Sequence, residues 1–247
     1  MGGNRAEWLR GLTIAHRGLH DSRNGGRWME NGASAFAAAI ASGFGIECDV
    51  RLSSDGQAVV FHDETLDRLT HVSGRLAGYP AAVLSRIPIN GTRDTIQPLS
   101  VVLHQIDAQV PLLIEIKTDK RGRYQPICTA VAQALELYDG DFAVISFDSR
   151  VLKWFGKNQP EVVRGLVLER NDFGGFPLIR RWRRGRAVGR SRPDFLAVDW
   201  RALPNGWVAR RRRRGMPVAA WTVCDAETRA FALHYADAVI AEAQGMG

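Results

Sequence analysis

The sequence predicts an irregular (β/α)8 barrel of the TIM type, with a short excursion over the barrel mouth. The chain length of 247 residues is typical of one such barrel. Short apolar runs alternate with helix-compatible stretches, as parallel strands and their crossover helices do. Ionisable residues recur at the ends of these runs, where the active sites of such barrels form. We therefore expect one domain over residues 1–247.

Eight apolar runs have the length and composition of buried strands. They are Thr13–His16, Ile46–Val50, Ala58–His62, Leu112–Ile116, Phe142–Phe147, Val163–Leu168, Phe195–Val198 and Val218–Val223. Helices are expected between them, at Ser34–Ala41, Gln125–Leu137 and Ala226–Tyr235. A doubly wound sheet is the competing architecture, but no Gly-x-Gly-x-x-Gly motif follows the first strand.

Two segments depart from a regular barrel. Residues 51–57 contain the turn signal Asp55-Gly56 and are too short for a crossover helix, so the barrel should be irregular there. Residues 64–110 are rich in Gly, Pro and other turn formers before a probable helix at Pro98–Ile106. Part of this second segment is expected to form the excursion.

The composition is that of an ordinary globular protein, with 45% apolar and 24% charged residues. No apolar run approaches the roughly 20 residues that a membrane-spanning helix needs. The N-terminal residues 1–12 lack the apolar stretch of a secretory signal, so we expect a cytoplasmic protein. The three cysteines are widely spaced in apolar surroundings and are expected to be buried thiols.

Two short segments account for the formal net charge of +7. Residues 180–192 hold seven arginines, and residues 210–214 hold five more. Without these 12, 21 Lys and Arg stand against 26 Asp and Glu, so the composition does not describe a general nucleic-acid-binding domain. The first segment resembles an insertion after the sixth strand. The second fits the last turn of a helix beginning near Leu203, where the helix dipole favours positive charge.

Seven ionisable residues lie within predicted strands or directly at their C-terminal ends. They are His16, Arg17, Glu47, Asp49, His62, Glu115 and Lys117. Glu47 and Asp49 are two residues apart and therefore share one side of a strand. Converging carboxylates repel one another unless a cation compensates them. Oxygen-only ligation by Glu47, Asp49 and Glu115 suits Mg²⁺ or Ca²⁺ better than zinc.

The other four residues supply what phosphodiester cleavage requires. His16 and His62 can transfer protons, and Arg17 and Lys117 can hold an anionic group. Cleavage needs charge neutralised on the phosphate oxygens, a nucleophile relieved of its proton, and a leaving alkoxide that receives one. The sequence therefore indicates metal-assisted phosphodiester chemistry.

These residues belong to a longer series of motifs. In chain order the motifs are Ile14-Ala15-His16-Arg17-Gly18, Glu30-Asn31, Glu47-Cys48-Asp49-Val50, Asp55-Gly56, His62-Asp63, Leu66-Asp67-Arg68, Glu115-Ile116-Lys117, Ser146-Phe147 and Trp221-Thr222-Val223. Together they span roughly residues 13–240 and resemble the glycerophosphodiester phosphodiesterases, which have phospholipase-C-like phosphodiesterase barrels.

The resemblance implies a reaction and a role for each site residue. A glycerophosphodiester and water would give glycerol 3-phosphate and an alcohol, by way of a cyclic phosphate that water opens. The implied roles are acid/base catalysis by His16 and His62, metal binding by Glu47, Asp49 and Glu115, phosphate contact by Arg17 and Lys117, and glycerol contact by Trp221.

Two positions depart from the family pattern. Gly32 follows Glu30-Asn31 where the family usually has Thr, which bears on the start of the next helix. Residues 241–244 stand where the family usually has Thr-Asp-x-Pro, which bears on barrel closure near the C-terminus. Glu30 and Asn31 themselves are expected to cap the helix and brace the metal ligands.

Two other functions remain open. One is a related phospholipase-type phosphodiesterase that acts on lysolipid at a membrane surface, which the arginine-rich segment around Trp182 favours. The other is a non-catalytic module that binds a phosphate ligand, although the intact set of two histidines and three acids argues against it. The alcohol head group, the choice between Mg²⁺ and Ca²⁺, and the oligomeric state are also left open.

Overall fold

The structure is a computed structural model that describes residues 4–21, 28–118, 122–173 and 177–247, without the side chains of residues 177–183. The chain divides into two compact units. The first unit is Ala15–Phe142, and the second unit combines Met1–Ile14 with Ala143–Gly247.

Strands and helices alternate along the chain. The strands are β1 (Thr13–Ala15), β2 (Gly45–Leu52), β3 (Ala58–Val60), β4 (Leu112–Ile116), β5 (Phe142–Ser146), β6 (Val163–Leu168), β7 (Phe195–Asp199), β8 (Val218–Val223) and β9 (Ala238–Ala241). The helices are α1 (Ala33–Ala41), α2 (Ala81–Leu84), α3 (Leu99–Ile106), α4 (Gln125–Ala134), α5 (Ser149–Asn158), α6 (Pro177–Ser191), α7 (Gly206–Arg212) and α8 (Ala226–Tyr235). The fold class is the predicted (β/α)8 barrel.

The predicted irregularity is a hairpin in the first unit. Strand β2 pairs in parallel with β4, but it pairs antiparallel with β3, with Val50 opposite Val60. Gly56 supplies the turn with a φ of +80°, a conformation that glycine adopts without steric cost. The prediction of β3 as one of the eight successive barrel strands was therefore wrong, because a short turn joins only antiparallel neighbours.

The excursion, residues 61–98, follows this hairpin and has a hydrophobic cluster of its own. Its fully buried members include Phe61, Leu66, Leu84, Ile89 and Ile96. The cluster fixes the backbone of the excursion, because burial of large apolar side chains dominates local stability. The helix predicted after it is present as α3, and Pro98 occupies the position before its first residue.

The second unit contains the strand that the sequence analysis missed. Strands β5 to β9 pair side by side in chain order, and β1 pairs with β9. Strand β9 has only four residues, so its pattern was too short to distinguish from the end of the preceding helix. With β3 assigned to the hairpin, β9 completes the eight barrel strands.

Polar side chains fix the starts of helices α5, α7 and α8 in the second unit. Asp148 accepts a hydrogen bond from Arg150 N at the start of α5, and Asp225 accepts one from Thr228 N at the start of α8. Asn205 accepts one from Trp207 N at the start of α7. Helix α7 therefore begins later than the predicted position near Leu203, since the Asn205 side chain satisfies the first free amides.

Both arginine-rich segments lie in or at the end of helices. Residues 177–191 form α6 between β6 and β7, so the expected insertion is the crossover helix itself. Arg210, Arg211 and Arg212 form the last turn of α7, as predicted, and Arg212 pairs with Asp237 at 3.0 Å. Among the described residues, no helix has the length and hydropathy needed to span a bilayer.

The cysteines have no disulfide. Cys48 and Cys128 are buried thiols, as predicted, whereas Cys224 is half-buried. Cys224 therefore departs from the prediction, because it follows the end of β8 and precedes the start of α8.

Candidate active site

Three carboxylates meet inside the first unit. Glu47 and Asp49 lie on β2, and the parallel register places Asp49 directly opposite Glu115 of β4. All three residues are buried, and their nearest ligand oxygens lie within 4.8 Å of one another. The alternation of side chains along a strand explains why Glu47 and Asp49 face the same way. The sequence thus correctly predicted that these three residues cluster.

The charge of this cluster is not balanced by its neighbours alone. Burial raises the pKa of Glu47 well above its usual value, and repulsion from Asp49 and Glu115 raises it further. Burial also raises the pKa of Glu115. Glu47 Oε1 is buried without a hydrogen-bond partner. A hard divalent cation would compensate both the repulsion and this unpaired oxygen, so the three residues fit a Mg²⁺ or Ca²⁺ site.

Two cations flank the carboxylates. Lys117 Nζ lies 2.9 Å from Asp49 Oδ1 and 2.5 Å from Glu115 Oε1. Arg17 Nε lies 3.1 Å from Asp49 Oδ2, and the Arg17 backbone N–H donates to Glu47 Oε2 at 3.0 Å. Burial opposes ionisation of Asp49, but Lys117 and Arg17 hold its pKa well below the usual value. Both predicted phosphate-contacting residues are therefore beside the predicted metal ligands.

The two histidines differ in their surroundings. His16 Nε2 lies 3.9 Å from Glu47 Oε2, whereas His62 Nδ1 lies 2.6 Å from Asp63 Oδ1. Although partial burial acts to raise it, hydrogen bonds from Arg68 and His62 lower the pKa of Asp63 to about 2. Ionised Asp63 can only accept, so His62 Nδ1 carries the proton and Nε2 is the basic nitrogen of the neutral ring.

The pKa of His62 favours this neutral form. Burial lowers the pKa below its usual value of 6.5, and Lys117 and Arg17 lower it further. Asp49 and Asp63 act in the opposite direction without reversing the shift. His62 is therefore set to accept a proton near neutral pH.

A hydrogen-bonded chain connects Arg17 to His62 through Glu30, Arg68 and Asp63, and no role was predicted for the last two. Arg17 Nη1 donates to Glu30 Oε1 at 2.7 Å, and Arg68 donates to both Glu30 oxygens. The same guanidinium donates from Nε to Asp63 Oδ2 at 2.5 Å. Asp63 and Arg68 stand in the motif series, and their position there was the signal available from sequence.

Asn31 braces Asp49, as predicted, but it does not cap the following helix. Its φ is +59°, and its side chain both donates to Asp49 Oδ2 at 2.9 Å and accepts from Asp49 N at 3.1 Å. Such outer contacts would orient Asp49 as a ligand of a bound metal ion. Glu30 differs from the prediction, since its hydrogen bonds go to Arg17 and Arg68.

The start of α1 is capped from a distant part of the chain. Gly32 precedes the helix without a side chain, and Asp94 of the excursion accepts from Ser34 N at 3.0 Å and from Ser34 Oγ at 2.9 Å. A Cβ at Gly32 would lie 2.6 Å from Asp94 Oδ2. Glycine and a remote carboxylate thus replace the usual threonine cap.

Trp221 lies on β8 in the second unit. It is half-buried and meets Phe147 edge to face, with ring centroids 5.5 Å apart. Its indole Nε1 is buried without a hydrogen-bond partner. Contact between Trp221 and a glycerol moiety stays a prediction.

Known proteins are similar to this chain in sequence and in fold. A glycerophosphodiester phosphodiesterase of Bacillus altitudinis is 32% identical over 159 residues, which cover 60% of this chain and 63% of the relative. The structure of an Oleispira antarctica phosphodiesterase in complex with the product sn-glycerol-3-phosphate has a TM-score of 0.79 at 24% identity, covering 96% of this chain and 94% of that chain.

A Thermotoga maritima glycerophosphodiester phosphodiesterase gives a TM-score of 0.74 at 26% identity, covering 93% of this chain and 94% of that chain. The model of the glycerophosphoryl diester phosphodiesterase family matches residues 16–243. Because this match spans nearly all of the sequence, the chain belongs to the glycerophosphoryl diester phosphodiesterase family and is a phosphoric diester hydrolase.

Proposed function

We propose that this enzyme hydrolyses small glycerophosphodiesters to glycerol 3-phosphate and an alcohol, in a metal-dependent reaction with His16 and His62 as the acid/base pair. The observation that carries the proposal is the buried cluster of Glu47, Asp49 and Glu115. Buried carboxylates that repel one another need a cation, and cations beside them suit an anionic substrate.

Glu47, Asp49 and Glu115 would hold the ion, which we take to be Mg²⁺ or Ca²⁺ because the donors are all oxygens. When bound, such an ion neutralises charge on phosphate oxygens. Arg17 and Lys117 add positive charge at the same place and would orient the phosphate. These residues would also bind the product, since glycerol 3-phosphate carries the same anionic group.

The histidines would move the protons. In the first step, neutral His62 accepts the proton of the glycerol hydroxyl next to the phosphate, that oxygen bonds to phosphorus, and the bond to the alcohol breaks. His16 gives a proton to the departing alcohol oxygen. In the second step, water opens the cyclic phosphate and the two histidines exchange roles. Trp221 would line the glycerol side of the pocket.

A second candidate is a phospholipase-type reaction on lysolipid at a membrane surface. The concentration of seven arginines in residues 180–192 favours it, since basic residues bind anionic lipid surfaces. The side chains of Trp182, Arg180, Arg181 and Arg183 lie outside the described part of the structure. Family membership leaves a non-catalytic module without support. A cytoplasmic location and a single domain over residues 1–247 stay predictions.

A substrate panel tests the proposal. Glycerophosphocholine, -ethanolamine, -glycerol and -inositol are incubated with the enzyme and Mg²⁺ or Ca²⁺, and released glycerol 3-phosphate is measured. We expect release from at least one monomeric diester. Release only from vesicle-presented lysolipid would favour the second candidate, and no release from any substrate would reject the proposed reaction.

A further inference from the structure

We propose that Arg68 is a positioning residue that holds the proton-transfer residue His62 and the phosphate-contacting Arg17 in one hydrogen-bonded unit. The inference rests on the proposed function, because the proposed function assigns His62 and Arg17 their roles. Arg68 itself would touch neither substrate nor metal. It would act through two carboxylates, Asp63 and Glu30.

The guanidinium of Arg68 lies between these carboxylates and bonds both. Toward Asp63, Nε donates at 2.5 Å and Nη2 at 3.1 Å. Toward Glu30, Nη1 donates at 2.9 Å and Nη2 at 2.7 Å. A planar guanidinium can hold two carboxylates in fixed directions, whereas the ammonium group of a lysine acts as a point charge.

The partners distinguish this contact from an ordinary surface ion pair. Exposed pairs contribute little to stability, and the Arg68 side chain is 48% exposed. However, the Glu30 side chain is only 8% exposed, and Glu30 also accepts from Arg17. Burial would raise the pKa of Glu30, but Arg68 and Arg17 lower it, so Glu30 is held ionised between two cations. Removing Arg68 would leave this buried carboxylate with only one of the two cations that lower its pKa, Arg17.

The consequence for His62 follows from its tautomer. Asp63 Oδ1 accepts from His62 Nδ1, while Asp63 Oδ2 accepts from Arg68 Nε. Without Arg68, the Asp63 carboxylate can rotate, and the proton on His62 is no longer confined to Nδ1. A smaller fraction of His62 would then present a basic Nε2, which lowers kcat.

The consequence for Arg17 is different. Glu30 Oε1 holds Arg17 Nη1 at 2.7 Å and also accepts from Arg68 Nη2. When Arg68 is lost, Glu30 is less constrained, and so is the guanidinium that contacts the phosphate. This change weakens substrate binding and raises KM.

Double-mutant cycles test whether Arg68 acts through these two carboxylates. Arg68→Met is expected to lower kcat by about 10-fold or more. In an Asp63→Asn background the same change should alter kcat by less than about twofold, because the connection to His62 is already broken. In a Glu30→Gln background its effect on KM should shrink in the same way.

Arg75→Met is the matched control. Arg75 pairs with Glu64 at 2.7 Å in the same excursion, but both side chains are largely exposed. It should change kcat and KM by less than about twofold. Full additivity of Arg68→Met with both Asp63→Asn and Glu30→Gln would overturn the proposal, as would an Arg75→Met effect equal to that of Arg68→Met.

A measurement without turnover separates this inference from the proposed function. Nitrogen-15 NMR of the His62 ring should show a proton on Nδ1 alone in the unmodified enzyme and a mixture of tautomers in Arg68→Met. An unchanged spectrum would overturn the positioning role, even if no glycerophosphodiester is hydrolysed. If Arg68→Met does not fold, Arg68→Lys takes its place. A spectrum and a kcat of Arg68→Lys equal to those of the unmodified enzyme would likewise overturn the positioning role.

Discussion

At the scale of single residues, His62 is expected to set the lower pH limit of turnover. The groups that shift its pKa are Asp49, Lys117, Arg17 and Asp63, and together with burial they lower the pKa below 6.5. In the proposed reaction the neutral ring would accept the proton, so activity should be present above this pKa and be lost as pH falls through it. The acid limb of kcat/KM should therefore lie below pH 6.5. An acid limb above that value would contradict the assignment.

Asp63→Asn tests the cause of that pKa. The Asp63 hydrogen bond raises the pKa of His62, so its loss should move the acid limb to still lower pH. The pH profile of kcat/KM measures the displacement against the unmodified enzyme. A shift toward higher pH would show that Asp63 acts on His62 in another way.

Both histidines are expected to be necessary for turnover. His16→Ala and His62→Ala should each lower kcat by about 100-fold or more while the protein remains folded. Their effects should not add, because the two residues serve one sequence of proton transfers. Steady-state kinetics gives kcat of each variant, and circular dichroism checks that the variant is folded. Nearly normal kcat in either folded variant would remove that residue from the reaction.

Helix α1 provides a test at the scale of secondary-structure elements. A Cβ at residue 32 would meet Asp94 Oδ2 at 2.6 Å and the Met29 carbonyl oxygen at 2.9 Å. Gly32→Thr should therefore lower the free energy of unfolding by at least about 1 kcal/mol, although threonine is a good cap in general. In an Asp94→Ala background the loss should be smaller, but it should not vanish, because the Met29 contact remains.

The control for this cycle is Gly78→Thr. A Cβ at Gly78 meets nothing within 4 Å, so this change should have a much smaller effect. Denaturant unfolding at constant metal concentration measures the stability of the unmodified protein and of the four variants, which are Gly32→Thr, Asp94→Ala, their combination and Gly78→Thr. Equal losses at Gly32 with and without Asp94 would show that the two residues do not interact.

The same elements show what sequence patterns can and cannot predict. Strands β4, β6 and β8 begin and end where their apolar runs do, because burial on both faces leaves a continuous pattern. Glu47, Asp49 and Glu115 were predictable because strand alternation fixes their direction. Asp94 was not, since its contact with Ser34 joins residues 60 positions apart. Contacts of that kind depend on how the excursion folds. The local periodicity of apolar residues carries no information about a contact between residues so far apart in sequence.

At the scale of the whole molecule, the positive charge of residues 180–192 is expected to affect the encounter with anions and not the reaction itself. The arginines of residues 180–192 lie outside every motif assigned to the reaction. Neutralising Arg180, Arg181 and Arg183 should therefore leave kcat on a saturating small diester nearly unchanged. Any loss should appear at low substrate concentration and low salt, since salt screens charges beyond about 10 Å at about 0.1 M ionic strength.

Vesicle flotation separates the two candidate functions with this variant. Neutralising Arg210, Arg213 and Arg214 gives a control with the same change in net charge. Strong binding of anionic vesicles that only the first triple change removes would favour a membrane-surface enzyme, at about 1 kcal/mol per basic residue. No binding by the unmodified protein would reject that candidate.

We expect the buried carboxylate cluster to work through a bound divalent ion. The most direct measurement is glycerol 3-phosphate release by metal-stripped enzyme, before and after Mg²⁺ or Ca²⁺ is added, with Glu47→Gln as the variant that keeps size but removes charge. We predict no turnover without metal, recovery on addition of either ion or one of them, and at least about 100-fold lower turnover in Glu47→Gln with metal present. Full turnover in chelator after exhaustive metal removal would contradict the claim.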